Sequence, residues 1–163
     1  MADTILVVVE QRQGKLNRVS LETLTGAQNL AAQTGWTLVA AVAGSGVGDI
    51  AKEIAATKVA KVYDIESPQL EPYTPDGFAA ALQQVIEQKQ PKLVLMPHTY
   101  QVRDFAPKLA AALHRPFISD AVGYKVEGGK PLFTRQMFQG KFAADVSFAG
   151  EPPYLATFQN GAF

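Results

Sequence analysis

Residues 74–96, TPDGFAAALQQVIEQKQPKLVLM, decide the fold. Thr74 offers a capping hydroxyl, Pro75 suits the first helical position, and Asp76 places an acid in the first turn. Phe78, Leu82, Val85 and Ile86 then recur at i, i+4, i+7 and i+8, the stripe of a helix with one buried face. Pro91 stops that helix. Leu93-Val94-Leu95-Met96 is apolar without alternation, as expected of a strand covered on both sides. A capped amphipathic helix feeding such a strand is half of a βαβ unit.

The unit repeats upstream. Ile5-Leu6-Val7-Val8-Val9 is a first strand, and the polar loop Gln11–Arg18 follows it. Ser20 is expected to cap a helix with Glu22 in its first turn, Leu21, Leu24, Ala27 and Ala31 on one stripe, and Gly35 just past its end. Trp36–Val42 is a second strand. The glycine-rich loop Gly44–Gly48 then leads to Asp49, the expected cap of a short helix through Ala56, and Val59–Ile65 is a third strand.

Downstream, the loop Pro97–Arg103 leads to a helix expected to begin at Asp104, carrying Phe105, Leu109, Ala112 and Leu113. Pro107 is tolerable only in a first turn, which sets that start. Phe117–Val122 is a fifth strand. After Val122 the period changes: Gly128-Gly129 marks a hairpin between Tyr124–Glu127 and Lys130–Arg135. Lys141–Phe148 alternates apolar and polar, and Tyr154–Phe158 follows the break at Pro152-Pro153. The expected fold is α/β in three layers: a mostly parallel sheet of about five strands with helices on both faces, extended by antiparallel C-terminal strands. Residues 1–163 read as one domain.

Composition excludes several function classes. The chain has 163 residues, with 15 Lys and Arg against 15 Asp and Glu, and so no net charge. The basic footprint that holds nucleic acid is missing. Cysteine is absent, which removes disulfides, thiolate chemistry and most structural zinc sites. No apolar run approaches the roughly 18–20 residues of a membrane helix. Met1-Ala2-Asp3-Thr4 leads straight into a strand-like run without a signal-peptide pattern, so a soluble, cytoplasmic protein is expected.

Ligands of an open parallel sheet bind beyond the carboxyl ends of its strands. The loops Gln11–Arg18, Ala43–Gly48 and Pro97–Arg103 lie there. The glycine loop is G-x-G-x-G rather than the dinucleotide fingerprint G-x-G-x-x-G, and it has no P-loop Lys-Ser/Thr pair. It reads as a tight turn. The loop from Met96 to Asp104 is richer, and His98, Thr99, Arg103 and Asp104 are its candidate residues. At the amino end of a helix they could hold an anion as a degenerate nucleotide site. Equally, Asp104 could cap the helix while Arg103 pairs with an acid or a partner chain.

No catalytic set emerges. His98 and His114 are the only histidines, and neither has a second ligand at metal-binding spacing. Asp104 or Asp120 could pair with His98, but no G-x-S-x-G elbow supplies a nucleophile. His114 reads as a cation suited to a helix end, and Asp120 as a strand-end residue that caps a turn or orients a loop.

Several segments, in order along the whole chain, resemble the amino-terminal domain of the electron-transfer flavoprotein alpha subunit. They are Val7-Val8-Val9-Glu10, Gly14-Lys15-Leu16, Ser20-Leu21-Glu22-Thr23-Leu24, Arg103 through Ala111, Ile118-Ser119-Asp120, Arg135 through Gly140, and Thr157 through Phe163. The resemblance implies an adenine nucleotide alpha hydrolase-like fold that acts as scaffold and subunit interface. It also implies a beta-subunit partner and electron transfer from dehydrogenases to an acceptor through flavin adenine dinucleotide (FAD). In that family FAD is held chiefly by the carboxyl-terminal domain of the alpha subunit, whose motifs have no counterpart here, so none is expected on this chain alone. The resemblance thus implies an electron-carrier component rather than an enzyme. In the related beta-subunit fold the loop after the fourth strand contacts an adenine nucleotide. His98–Asp104 is similar in position, without matching residues. The alternative is a stand-alone adenine-nucleotide-binding module of the universal-stress-protein type. That family has an aspartate at the end of its first strand and a late G-x-x-G-x9-G-Ser/Thr loop. Here Glu10 stands at that strand end and the late loop is absent. A hydrolase of the same broad fold ranks third.

Overall fold

The apolar run after Asp3 forms strand β1 (Thr4–Val9), buried along Ile5–Val9. The structure, a computed structural model, describes residues 3–163. Met1 and Ala2, on which the signal-peptide reading begins, lie outside the described residues. A short hairpin, β2 (Gln11–Arg12) with β3 (Lys15–Leu16), follows β1 and leads to helix α1 (Arg18–Thr34). Strand β4 (Thr37–Gly44), helix α2 (Gly48–Ala55) and strand β5 (Lys61–Glu66) come next. Helix α3 (Pro75–Lys89) and strand β6 (Leu93–Pro97) form the unit with the clearest sequence punctuation, with Thr74 Oγ1 accepting from the Gly77 N–H at 3.2 Å. Helix α4 (Tyr100–Leu113), the long strand β7 (Phe117–Glu127), β8 (Lys130–Met137), β9 (Phe142–Val146) and β10 (Tyr154–Phe158) complete the chain.

Among the described residues the main sheet has eight strands in the order β5-β4-β1-β6-β10-β7-β8-β9. Neighbours from β5 to β7 run parallel, and β8 and β9 are antiparallel additions. Helices α1 and α2 lay Leu24, Ala27, Leu30, Ile50 and Ile54 on the face that includes Ile5, Val7 and Val42. Helices α3 and α4 lay Phe78, Leu82, Ile86, Phe105 and Leu109 on the opposite face, against Leu6, Val8 and Val94. These are the three layers, the mostly parallel sheet and the antiparallel C-terminal strands that the sequence implied.

Several elements differ from expectation, each for a physical reason. Tyr154–Phe158 is not part of the antiparallel extension. It runs parallel between β6 and β7, near the middle of the sheet. Leu155, Ala156, Thr157 and Phe158 are all buried, the non-alternating signature of a strand covered on both sides. Phe117–Val122 and Tyr124–Glu127 are one strand whose pairing with β8 shifts register between Ala121 and Gly123. Asn17, not Ser20, caps α1, which turns Ser20 inward and leaves Leu21 43% exposed. Thr99, not Asp104, caps α4, so Pro107 lies inside the helix beyond its first turn. Asp49 sits in the first turn of α2, where no side chain caps.

The tail is tied to the core at Gly26 of α1. A β-carbon there would come within 2.8 Å of Phe158 and 2.9 Å of Phe163, so only glycine lets those rings lie against the helix. Among the described residues no helix is long and apolar enough to cross a membrane, which says nothing of a β-barrel.

Candidate functional site at the carboxyl edge of the sheet

The parallel strands end at one edge, where β1 delivers Glu10 and β6 delivers His98 and Thr99. Glu10, Arg12, Asn17, His98, Thr99 and Arg103 line a cleft of about 470 Å³ there. Glu10 is only 4% exposed, and an isolated buried carboxylate would be costly. Its surroundings offset that cost. Thr99 Oγ1 donates to Glu10 Oε2, Asn17 Nδ2 donates to Oε1 at 3.1 Å, and the Arg12 guanidinium lies 3.5 Å from Oε1. The Glu10 N–H donates to Ser20 Oγ at 2.8 Å, and that hydroxyl donates back to the Glu10 carbonyl at 3.3 Å. Glu10 therefore joins the end of β1 to the starts of α1 and α4.

A second chain of polar contacts runs beside it. The Asp120 N–H donates to Thr157 Oγ1 at 2.8 Å, and Thr157 Oγ1 lies 2.9 Å from His98 Nδ1. With the Thr157 hydroxyl donating to Nδ1, the His98 proton sits on Nε2, which faces Asp120 Oδ1 at 3.7 Å. Burial holds the His98 pKa below its ordinary value. Asp120 pulls it upward, and Arg103 and Arg135 reinforce the depression. The trio resembles a hydroxyl–imidazole–carboxylate relay in its connections only. Thr157 is fully buried, so its hydroxyl positions the ring and cannot reach a substrate.

Of the residues expected in this loop, His98, Thr99 and Arg103 meet at the cleft. Asp104 does not line it: its carboxylate accepts from the Tyr73 hydroxyl at 3.0 Å. Burial, reinforced by that bond, pushes the Tyr73 pKa well above its ordinary value. His114 ends α4 in the left-handed conformation, with φ 52°. Among the described residues no group of side chains is arranged to hold a metal ion.

The flavin dinucleotide implied by the resemblance would need free N–H groups for its pyrophosphate. The residues present do not fit it, because the glycine-loop amides are filled from within and a buried carboxylate stands beside the start of α4. At the glycine loop, with Gly46 at φ 69°, the Gly46 and Val47 N–H groups donate to Glu66 Oε1 and Oε2 at 2.5 and 3.0 Å. These bonds hold the Glu66 pKa below its ordinary value. At the start of α4, Thr99 Oγ1 accepts from the Val102 N–H at 3.2 Å, and the Glu10 carboxylate lines the cleft in front, where it repels an anion. The tight-turn reading of the glycine loop matches this geometry.

Sequence reasoning missed the parts played by Asn17, Ser20, Glu66 and Thr157. A threonine within the apolar run Tyr154–Phe158 was a usable signal, since a polar group at a buried position needs a partner. Glu66 gave none, because its partners lie 19 and 20 residues away across a strand pairing.

The electron transfer flavoprotein domain family matches residues 5–163. The electron transfer flavoprotein alpha subunit of Bacillus subtilis is 33% identical over 159 residues, 98% of this chain and 48% of the relative. That of Syntrophomonas wolfei is 36% identical over 155 residues, covering 95% and 47%. The acryloyl-CoA reductase electron transfer subunit beta of Anaerotignum propionicum is 33% identical over 126 residues, covering 77% and 34%. The chain spans about half the length of the alpha subunits it matches. With a family match from β1 to the final residue and the expected layers in place, the chain belongs to the electron transfer flavoprotein family, on the side of its alpha subunits.

Proposed function

We propose that residues 1–163 act as one domain, the scaffold and subunit-interface part of an electron-transfer flavoprotein alpha subunit. Proteins of this family bind FAD. In this reading the flavin is held by alpha-subunit residues outside this segment and by a beta subunit, in a cytoplasmic heterodimer carrying electrons from dehydrogenases to an acceptor. The observation that carries the reading is the filling of the glycine-loop amides by Glu66, together with the placement of the Glu10 carboxylate beside the start of α4, where it opposes a phosphate. A scaffold needs no free cradle, whereas a flavin-binding unit does. The contact face would include the β8–β9 tip, where Met137, Phe138 and Phe142 are 44%, 70% and 66% exposed, since exposed apolar clusters mark interaction surfaces.

The 163-residue chain purified alone is expected to lack the visible absorbance band of flavin, and stoichiometric flavin on it would overturn the reading. Co-expressed with a cognate beta subunit and the rest of the alpha chain, it is expected to co-purify. A Phe138→Ser, Phe142→Ser double variant should weaken that association while leaving the unfolding midpoint of the isolated chain unchanged. The adenine-nucleotide alternative predicts that AMP or ATP binds the isolated chain. Calorimetry showing AMP and ATP bound no more tightly than inorganic phosphate would remove it.

A further inference from the structure

A second cleft, of about 310 Å³, opens beside the first, between α4 and β7. Arg103 and Pro107 line it from the helix, Ser119 and Asp120 from the strand, and Arg135 reaches it from β8. Its charges do not balance. Arg103 and Arg135 have no carboxylate within ion-pair distance among the described residues, and the one lining carboxylate, Asp120, faces His98. With the imidazole neutral, two guanidiniums and one carboxylate leave a single positive charge in the cleft.

Two further observations bear on the chemistry of this cleft. The Arg135 Nε is buried and has no hydrogen-bond acceptor among the described residues, whereas nearly all buried donors in proteins are paired. The backbone here is also irregular. Asp120 adopts a left-handed conformation, φ 59°, uncommon for a non-glycine residue though aspartate tolerates it better than most. The strand pairings slip register on both sides of it, between Ala156 and Phe158 on β10 and between Ala121 and Gly123 on β7. Such irregularities commonly re-aim side chains at binding sites.

We propose that this cleft is an oxyanion site, taking one phosphate or carboxylate group between the guanidiniums of Arg103 and Arg135, with His98 on its flank. The planar fork of arginine matches both groups, which accept two parallel hydrogen bonds. Asp120 on the opposite wall repels a second anion, so the stoichiometry is one. The site rests on this chain's own side chains and holds whether or not the scaffold reading does.

The test follows the His98 ring nitrogens of the 163-residue chain by NMR as sodium phosphate or sodium acetate replaces sodium chloride at constant ionic strength. A saturable shift of His98, with His114 unmoved, is expected for at least one of the two anions, and the preferred anion identifies the source as phosphate or carboxylate. Arg103→Gln and Arg135→Gln should each weaken binding by about tenfold or more. Arg103 is exposed, so its variant keeps the test valid if Arg135→Gln fails to fold. No saturable shift up to about 50 mM of either anion, or unchanged affinity in Arg103→Gln, would overturn the site.

Discussion

Glu10 is the residue on which the carboxyl edge converges, because its two carboxylate oxygens serve groups from three different segments. Removing the carboxylate leaves the Thr99 hydroxyl and the Asn17 amide without their acceptor. Glu10→Ala is therefore expected to cost about 2–3 kcal/mol and Glu10→Gln less, since an amide still accepts. Urea denaturation of the two variants measures the difference. His98 gives the molecule an acid sensitivity of definite sign. Its pKa is depressed from 6.5 in the folded chain, so the unfolded chain takes up the proton first as the pH drops. The contribution is fully present above pH 6.5 and is lost as the pH falls through the depressed value. Stability profiles in chloride buffers should therefore show a smaller loss below pH 6.5 for His98→Gln than for the parent chain. The titratable candidates of the main loop were legible because few residue types do such chemistry. What was not legible was which of them meet, and Asp104, turned away toward Tyr73, shows that adjacency in sequence does not settle it.

At the scale of elements, α4 follows two choices its sequence left open. Thr99 and Asp104 are both good capping residues, and the helix takes the earlier one, which adds a turn and brings the capping hydroxyl to Glu10. Thr99→Ala should cost about 1–2 kcal/mol through the lost cap, more if the Glu10 contact is counted, while Thr99→Ser should retain most of it. The early start places Pro107 inside the helix, where it cannot donate to the carbonyl one turn back. Pro107 is exposed, so Pro107→Ala relieves the defect without opening a cavity, and thermal unfolding should shift upward by an amount worth about 1–3 kcal/mol. Helix and strand types of the long elements were readable from periodicity, whereas the short hairpin β2–β3, too short to show a period, lies in what read as the polar loop Gln11–Arg18. Boundaries were not readable, because Asn17 and Ser20, like Thr99 and Asp104, are equally plausible starts until tertiary contacts choose between them.

For the whole molecule, the order of the strands matters more than their number. Among the described residues β10 is the only strand between β6 and β7, so β7, β8 and β9 are joined to the rest of the sheet through the five residues Tyr154–Phe158. A chain ending at Gly150 is expected to lose the single cooperative unfolding transition of the intact chain, as followed by near-UV circular dichroism. Ala156→Asp tests the same joint at full length: it buries an unpaired charge at a fully buried position and should abolish folding. The alternation of helices and strands made the layers legible from sequence. Strand order was not, since the run Tyr154–Phe158 states that it is covered on both sides but not by which neighbours.

That placement also imposes an order in time. During synthesis the ribosome releases β6 well before Tyr154–Phe158 emerge, so for an interval β6 presents a bare edge of backbone donors and acceptors. The nascent chain must keep that edge from other strands, its own β8 and β9 included, until Tyr154–Phe158 arrive to fill the gap.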